Sequence, residues 1–461
     1  MLKIFDYPSP AAEKALARIA SRGLAFTKKE HSVVSRILDD VKARGDEAVV
    51  DYTRRFDAPN YSAKDLKAGA RELAAATSAV DRTFLRALNR AASQIEAFHR
   101  RQLRTGFISL ERPGTMLGQL VQPVERVGVY VPGGQGGKTP LVSSVLMGAI
   151  PARVAGVAQV VMVTPPTADG RVNPHLLVAA RKAGVDEVYK AGSAWAVAAL
   201  AYGTETIPRV DVIVGPGNRY VTLAKQIVAG TVGIDILAGP SEILIIADES
   251  ADPEFIAADL LSQAEHDPMA SAVLVTARRE LAQAVKEALG RQLAQLARAE
   301  IAGESIRRFG ALIVVRDVAA AIELANRMAP EHLELQLRDP FAHLDAIRNA
   351  GAVFLGEYTP EPVGDYVAGP NHVLPTAGTA RFASALSVDN FVKRTSLIHY
   401  SADALRREAA DILRLADVEG LGAHANSIRV RLKRRSRRRK RSECISILNT
   451  ADIDTNKRRK S

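Results

Sequence analysis

The sequence predicts an α/β protein with two open parallel-sheet units of an incomplete Rossmann-like kind and a helical N-terminal region. Short β-branched runs alternate with alanine-rich helical stretches in two blocks, at about 127–238 and 240–356. Strands that alternate with helices of roughly 10–15 residues are typical of βαβ units and parallel sheets. No G-x-G-x-x-G follows a strand in the usual place, so standard Rossmann dinucleotide binding is not indicated.

The region before these blocks is predicted to be helical. Thr27 followed by Glu30 is a capping-box pattern, which predicts a helix that reaches Gly45. A second long helix is predicted from Ser78 through Gln102, because its apolar residues recur at intervals that place them on one face. Those residues are Phe84, Leu85, Leu88, Ala91 and Ile95.

Apolar runs give the predicted strands. Because ligands of open α/β sheets bind beyond the carboxyl ends of the strands, we expect functional residues in the loops that follow them. The runs are VGVYV (127–131), VVMV (160–163), VDVIVG (210–215), EILIIAD (242–248), SAVLVT (271–276), ALIVV (311–315) and AVFLG (352–356).

Composition excludes several classes of protein. Of the 461 residues 47% are hydrophobic and 25% are charged, and no apolar run approaches the roughly 20 residues of a membrane span. The first residues lack a basic stretch followed by an apolar core, so we expect no secretory signal and a cytoplasmic protein. The single cysteine, Cys444, excludes an intramolecular disulfide and a cysteine-rich metal cluster.

The formal charge of +11 is concentrated at the C-terminus. Residues 433–461 carry +9, whereas residues 1–432 carry only +2. A block of like charges is usually a solvated, disordered extension, and this one has no aromatic residues on which bases could stack. We therefore expect a disordered tail. Salt-sensitive binding of a polyanion is the alternative, and sequence-specific recognition of nucleic acid is not expected.

Two loops after predicted strands could approach a nucleotide. The loop 131–140 contains Gly-Lys-Thr, but the first glycine of a phosphate-binding loop would fall on Pro132, which has no N–H. ATP or GTP hydrolysis is therefore not indicated, although a glycine-rich turn could still lie close to a dinucleotide. The second loop, GPGN, ends in Asn218 before a helical run, and a plain turn is the alternative.

Three polar segments in the second half of the chain could bind a ligand or move protons. Ser241 follows Gly-Pro rather than lying in G-x-S-x-G, which favours ligand hydrogen bonding or capping over a hydrolase nucleophile. Gln263 and His266 are three residues apart and so share one helical face. Glu331 and His332 offer two adjacent proton acceptors. Considered singly, each of these residues could be purely structural.

Two further segments add histidines and carboxylates. Asp365 and His372 lie in a stretch rich in glycine and proline, and Glu419 and His424 lie in EGLGAHANS. Zinc accepts ligand sets of nitrogen and oxygen without cysteine. Such a set could come from His266, His332, His372 and His424 together with Gln263 and Asp365.

Together these segments resemble the histidinol dehydrogenase family. The resemblance covers roughly residues 10–432 and rests on separated motifs in family order, which are specific as a set although each alone is weak. The motifs are VGVYVPGG, GPGN, IDILAGPSEILIIAD, LLSQAEH, APEHLEL, GDYVAGPNHVLPT and EGLGAHANS.

The resemblance implies a zinc-dependent, NAD-linked enzyme that oxidises L-histidinol through an aldehyde to L-histidine, the last step of histidine biosynthesis. It implies that Glu331 and His332 are the catalytic acid/base pair and that Tyr130 and Asn218 contact NAD. The implied zinc ligands are Gln263, His266, Asp365 and His424. The implied substrate-binding residues are Ser241, Gln263, His266, His332, Asp365, Glu419 and His424.

The resemblance also implies a homodimer in which a C-terminal dimerisation segment of one subunit completes the site of its partner. No membrane partner is expected. The predicted parts are an N-terminal helical segment (1–23), a first α/β domain with the zinc and substrate site (24–129 and 239–386), a second α/β domain that contributes NAD binding (130–238), the C-terminal segment (387–432) and the basic tail (433–461).

Two departures from the family pattern lie on the NAD side. Trp195 stands where the family has a glutamine that contacts NAD, and a single N–H donor cannot replace an amide. The loop after Pro132 reads GGQGGKTPLVSS, where the family has Tyr-Pro near the serines. A family member that oxidises another small alcohol is therefore the alternative function.

Overall fold

Aliphatic strands flanked by alanine-rich helices make up most of the chain. The structure, a computed structural model, describes residues 2–23, 26–133 and 139–433. The described strands are β1 (Ile4–Asp6), β2 (Phe107–Ser109), β3 (Thr115–Pro123), β4 (Arg126–Tyr130), β5 (Gln159–Thr164), β6 (Glu187–Lys190), β7 (Val212–Val214), β8 (Gly233–Ile234), β9 (Glu242–Ala247), β10 (Ser271–Thr276), β11 (Gly310–Val314), β12 (His332–Gln336), β13 (Ala352–Leu355) and β14 (Val392–Tyr400).

The helices alternate with these strands through most of the chain. Those described are α1 (Pro10–Ala20), α2 (Lys28–Arg44), α3 (Asp46–Phe56), α4 (Ala70–Ser78), α5 (Arg82–Arg100), α6 (Val142–Val154), α7 (Pro174–Lys182), α8 (Ser193–Tyr202), α9 (Arg219–Val228), α10 (Pro253–Ala264), α11 (Arg279–Leu293), α12 (Ala299–Phe309), α13 (Val318–Met328), α14 (Glu361–Tyr366), α15 (Ala402–Val418) and α16 (422–433). None of these described helices is long and apolar enough to cross a membrane.

The chain forms two units. The described parts of Met1–Leu103 and Pro123–Lys393 make up the first, and those of Arg104–Gln122 and Arg394–Ser461 make up the second. Apart from Lys433, the predicted basic tail lies outside the described residues, as does the glycine loop at 134–138.

A six-stranded parallel sheet is one core of the first unit. Among the described residues its strand order is β1-β11-β10-β9-β12-β13. Helices α10, α11 and α12 pack on one face, and α1 and α13 pack on the other. Because both faces are covered, the strands are continuous apolar runs rather than alternating ones.

A five-stranded parallel sheet is the other core of the first unit. Its order within the described chain is β6-β5-β4-β7-β8. Helices α5, α6 and α7 cover one face, while α2, α3, α8 and α9 cover the other. The predicted fold class, two open parallel sheets in an α/β protein, is therefore confirmed. The predicted domain boundaries stay a prediction.

Most predicted elements are present, and one boundary was wrong. Thr27 and Glu30 form the expected capping box at the start of α2. The second long helix does not begin at Ser78, which ends the separate helix α4. It begins at Arg82, because the Asp81 carboxylate accepts a hydrogen bond of 2.8 Å from the N–H of Phe84 and caps the helix there.

The second unit contains a small sheet that the sequence analysis did not predict. Its order in the described chain is β14-β3-β2, and β2 pairs with β3 in antiparallel register. Strand β2 has only three residues and β3 contains glutamine and glycine, so neither gives a clear strand pattern. Helices α15 and α16 follow β14 along the chain.

Candidate active site and metal centre

The predicted reactive residues lie at the amino end of the six-stranded sheet. His332 is the first residue of β12, and Ser241 directly precedes β9. The expectation that functional residues follow the strands was therefore wrong for this sheet. The amino edge of a parallel sheet faces the C-terminal ends of the covering helices, whose partial negative charge favours a cation. Helix α10 ends there, with Gln263 in its last turn and His266 just beyond it.

The main chain of Glu242 holds Glu331 and His332 together. Its N–H donates to Glu331 Oε2 at 2.9 Å, and its carbonyl oxygen lies 2.9 Å from His332 Nδ1. Because a carbonyl oxygen can only accept, Nδ1 carries the proton and Nε2 keeps its lone pair. The Nδ1 atom of His332 is also 3.8 Å from Glu331 Oε2.

Burial changes the protonation of this pair in opposite directions. Loss of water, with smaller contributions from His266 and His372, lowers the pKa of His332 to about 4. Burial also raises the pKa of Glu331 well above its ordinary value, and the nearby Glu242 carboxylate adds to the rise. Both shifts favour neutral forms. His332 is therefore an uncharged base near neutral pH.

A group of oxygen and nitrogen donors lies beside His332. One donor atom from each of His332, Glu361 and Asp365 lies within 4.8 Å of the others, a spacing suited to a metal ion. Burial is the main reason why the pKa of Asp365 rises to about 6 and that of Glu361 to about 7. A bound cation would stabilise the ionised forms of such close carboxyl groups and so lower their pKa values.

Gln263 and His266 come together as the sequence predicts. The side chain of Gln263 is fully buried, and its Nε2 lies 3.4 Å from His266 Nδ1. Its Oε1 has no hydrogen-bond partner among the described residues. A buried amide oxygen without a partner is costly unless a ligand completes it. The charge interactions of His266 with His332 and Glu361 place it beside the same donors.

Glu361 was not assigned from the sequence, and His372 was named only as one of several possible zinc ligands. Glu361 lies four residues before Asp365 on α14, so the i, i+4 spacing of two carboxylates in PEPVGD was the available signal. Its Oε1 is buried and has no partner within the described chain. The buried Nε2 of His372 likewise lacks one there, and burial lowers the pKa of His372 to about 4.

The remaining predicted substrate residues lie in different places. Ser241 is half-buried, and its carbonyl oxygen accepts a hydrogen bond of 3.0 Å from the N–H of Ser271. Glu419 and His424 belong to the second unit, Glu419 at the end of α15 and His424 in α16, and both are exposed. The structure thus brings Gln263, His266 and Asp365 of the predicted metal set to one place in the first unit.

The predicted NAD contacts lie at the carboxyl edge of the five-stranded sheet. Tyr130 ends β4, and its hydroxyl oxygen accepts a 3.0 Å hydrogen bond from the N–H of Ser193 at the start of α8. Asn218 caps α9, because its Oδ1 accepts hydrogen bonds from the next turn. This edge follows the carboxyl-end rule and faces helix N-termini, which favour anionic groups.

Trp195 is a core residue of this region. Its ring stacks between Tyr52 and Phe56 at centroid distances of 5.7 and 5.6 Å. Its Nε1–H donates to Thr53 Oγ1 at 3.2 Å, and only 4% of the residue is exposed. The indole N–H is therefore already used inside the protein.

Comparison with known proteins points to one family. A sequence model of histidinol dehydrogenase matches residues 21–432. The histidinol dehydrogenase of Desulfotalea psychrophila is 58% identical over 402 residues, 87% of this chain and 93% of that protein. That of Syntrophotalea carbinolica is 52% identical over 433 residues, 94% of this chain and 100% of that protein. The crystal structure of histidinol dehydrogenase from Elizabethkingia anophelis matches with a TM-score of 0.88 at 37% identity, covering 94% of this chain and 99% of that one.

Proposed function

The chain belongs to the histidinol dehydrogenase family, an oxidoreductase family of histidine biosynthesis, and we propose how its residues divide the work. The reaction is the NAD-dependent four-electron oxidation of L-histidinol through L-histidinaldehyde to L-histidine. The observation that carries the proposal is the Glu242 main chain, whose N–H and carbonyl hold Glu331 and His332 side by side.

His332 is the base for oxidation of the alcohol. Its Nδ1–H is held by the Glu242 carbonyl, so Nε2 is free to accept the hydroxyl proton of histidinol as hydride leaves the same carbon. The low pKa of about 4 keeps this nitrogen unprotonated at neutral pH. A positioned base of this kind contributes about 10²–10⁴-fold in rate.

Glu331 is the base for the second oxidation. One of its oxygens is held by the Glu242 N–H, which leaves the other to take a proton from the water that attacks the aldehyde carbon. Burial raises its pKa, which makes the carboxylate a stronger base once it is ionised. The hydrate formed in this way gives up one hydroxyl proton and a second hydride, which leaves the carboxylic acid, and this acid ionises to the carboxylate product.

The donor set fits zinc, although zinc itself is a proposal. Gln263, His266 and Asp365, with His424 of the partner subunit's C-terminal segment in the proposed dimer, would hold it, and the buried orphaned Oε1 of Gln263 supports this choice. When bound, zinc would supply a fixed positive charge that orients the imidazole and amine of the substrate. The alternative donors His332 and Glu361 are close enough to compete.

The carboxyl edge of the five-stranded sheet is the proposed NAD site. NAD, when bound, would accept the two hydrides in succession. Tyr130 fixes the start of α8 through Ser193, and the partial positive charge at the N-terminus of α9, which Asn218 caps, would favour a pyrophosphate. Because the chain has one tryptophan, Trp195, the binding of NADH can be followed through quenching of its fluorescence.

A homodimer with shared sites is also proposed. In it, Ser241 and the carboxylate of Glu419 would bind the substrate, Glu419 forming a charge-assisted hydrogen bond with the ammonium group. The second unit supports the proposal because it exposes large apolar side chains, which are typical of an interaction surface. They include Phe107 (59%), Ile108 (63%), Leu110 (70%), Ile398 (73%) and Leu415 (64%). Cytoplasmic location stays part of the proposal.

Metal content and activity measured on the same samples test these roles. The purified chain should form NADH from L-histidinol and lose this activity with a chelator. His332→Gln should lower kcat by about 100-fold and keep its zinc, whereas His266→Ala and Gln263→Ala should lose zinc and activity together. Loss of zinc from His332→Gln would instead make His332 a ligand. The matched control is His343→Gln, a histidine outside this site.

Two alternatives have distinct outcomes. A preference for another small alcohol over histidinol in a substrate panel would support the alternative dehydrogenase that the replacement at Trp195 suggests. Binding of nucleic acid at low salt that disappears when residues 433–461 are deleted would support polyanion binding through the tail.

A further inference from the structure

Arg22 is a buried cation that joins three segments at the amino edge of the six-stranded sheet. Its Nε donates to the carbonyl oxygen of Ile19 at 2.9 Å, and its Nη1 donates to that of Met269 at 2.6 Å and, more weakly, to that of Ser241 at 3.5 Å. Its Nη2 lies 2.8 Å from Glu242 Oε1, with which it forms an ion pair. Only 4% of Arg22 is exposed.

The partner of Arg22 is the residue that holds the reactive pair. Glu242 Oε1 accepts a second hydrogen bond, of 3.1 Å, from the N–H of Ala377, so its carboxylate is fixed from two sides. The main chain of Glu242 donates to Glu331 and accepts from His332. A small displacement of the main chain at Glu242 would therefore move both reactive side chains.

We infer that Arg22 is a positioning residue for the oxidation of histidinol. Its guanidinium fork fixes the Ser241–Glu242 segment at the start of β9, and that segment sets the positions of Glu331 and His332. The inference rests on the catalytic roles proposed for those two residues. Lysine cannot replace this arrangement, because an ammonium group lacks the planar fork that reaches acceptors on separate segments.

A cavity beside Arg22 allows the lost side chain to be replaced chemically in a truncated variant. A surface cavity of about 430 Å³ borders its side chain, together with Arg18, Met269, Arg307 and others. Truncation of Arg22 would extend this cavity inward, so free guanidinium ion could enter from solvent and occupy the place of the lost group.

The test compares Arg22→Ala with Arg18→Ala, an exposed arginine in the last turn of α1, the helix that ends just before Arg22. Arg22→Ala should lower kcat about 10- to 100-fold while the KM values for histidinol and NAD and the zinc content change little. Millimolar guanidinium should restore part of kcat in Arg22→Ala alone. Arg18→Ala should match the parent enzyme. An unchanged kcat, or equal loss of zinc and activity, would overturn the inference.

A double variant separates this inference from the proposed function. If Arg22 acts through Glu331 and His332, Arg22→Ala should slow Glu331→Gln by less than it slows the parent. If Arg22→Ala slows Glu331→Gln by as much as it slows the parent, the inference that Arg22 positions Glu331 and His332 is overturned. If Glu331→Gln is as active as the parent, the proposed catalytic role of Glu331 is contradicted instead. If Arg22→Ala does not fold, Arg22→Lys is measured in its place. A lower kcat at unchanged KM in Arg22→Lys would support the inference, and an unchanged kcat would overturn it.

Discussion

The buried carboxyl group of Asp57 makes the stability of the fold depend on pH, and the magnitude of this effect can be worked out from the structure. Asp57 directly follows α3, where the helix dipole disfavours a negative charge. Its Oδ2 is buried and has no hydrogen-bond partner among the described residues. A Cβ placed on Gly192 would lie 3.4 Å from this oxygen, so there is little room for water on that side. Burial raises the pKa of Asp57 from 3.8 to about 6.

The perturbation is Asp57→Asn, which keeps the shape and removes the charge. The folded protein binds the Asp57 proton more tightly than the unfolded chain, so ionisation of Asp57 destabilises the fold as the pH rises from its ordinary pKa to about 6. The pKa difference corresponds to about 3 kcal/mol at about pH 7.5 and about 1 kcal/mol at about pH 4.5. Because Asp57 is half-buried, these are upper values.

Urea unfolding at the two pH values measures the effect. Trp195 stacks on Phe56, the residue next to Asp57, so its fluorescence reports unfolding of this region. We expect Asp57→Asn to be more stable than the parent at about pH 7.5 and to lose most of that advantage at about pH 4.5. The control Asp39→Asn, at an exposed position on α2, should differ from the parent by less than about 0.5 kcal/mol. An Asp57→Asn variant that gains the same stability at both pH values would refute the reasoning.

Three further substitutions test the packing around the five-stranded sheet by thermal unfolding. Lys225→Met should cost about 3–5 kcal/mol, because it leaves the buried carboxylate of Asp235 without its ion pair; a cost below about 1 kcal/mol would contradict this. Trp195→Gln should cost about 3 kcal/mol, since it removes a buried ring and the bond to Thr53. An unchanged stability of Trp195→Gln in thermal unfolding would show that the ring does not stabilise the core. Thr27→Ala should cost about 1 kcal/mol through loss of the α2 cap, and no change would mean that the helix end is frayed.

Local chemistry explains which parts of the fold could be predicted. The capping box at Thr27 and the aliphatic runs of β9 and β10 act over a few residues, so the sequence pattern was sufficient. Strand order depends on pairing between distant segments. The edge strand β1 pairs with β11 although some 300 residues separate them, and its three residues carry no pattern that would indicate this.

The same limit applies to the site. The proximity of Gln263 to His266 follows from helical spacing, and the match to family motifs brought in Asp365. No local pattern indicated Arg22, whose main partners lie 219 to 247 residues further along the chain. Glu361 could have been found from its spacing to Asp365, but two exposed carboxylates on a helix would give the same pattern.

His372 interacts with residues near both edges, which bears on how the two proposed sites could take part in one reaction. A backbone hydrogen bond with Ser143, in the first turn of α6, raises the pKa of His372, while burial lowers it. His372 also contributes to the lowered pKa of His332. The loop and helix that follow β4 at the carboxyl edge of the five-stranded sheet therefore lie close to β12 at the amino edge of the six-stranded sheet. The N-terminal turn of α6 and the segment that follows the C-terminal end of α10 thus both lie near His332. Hydride transfer requires such an arrangement, because donor carbon and acceptor ring must touch while their charged groups need opposite electrostatic surroundings.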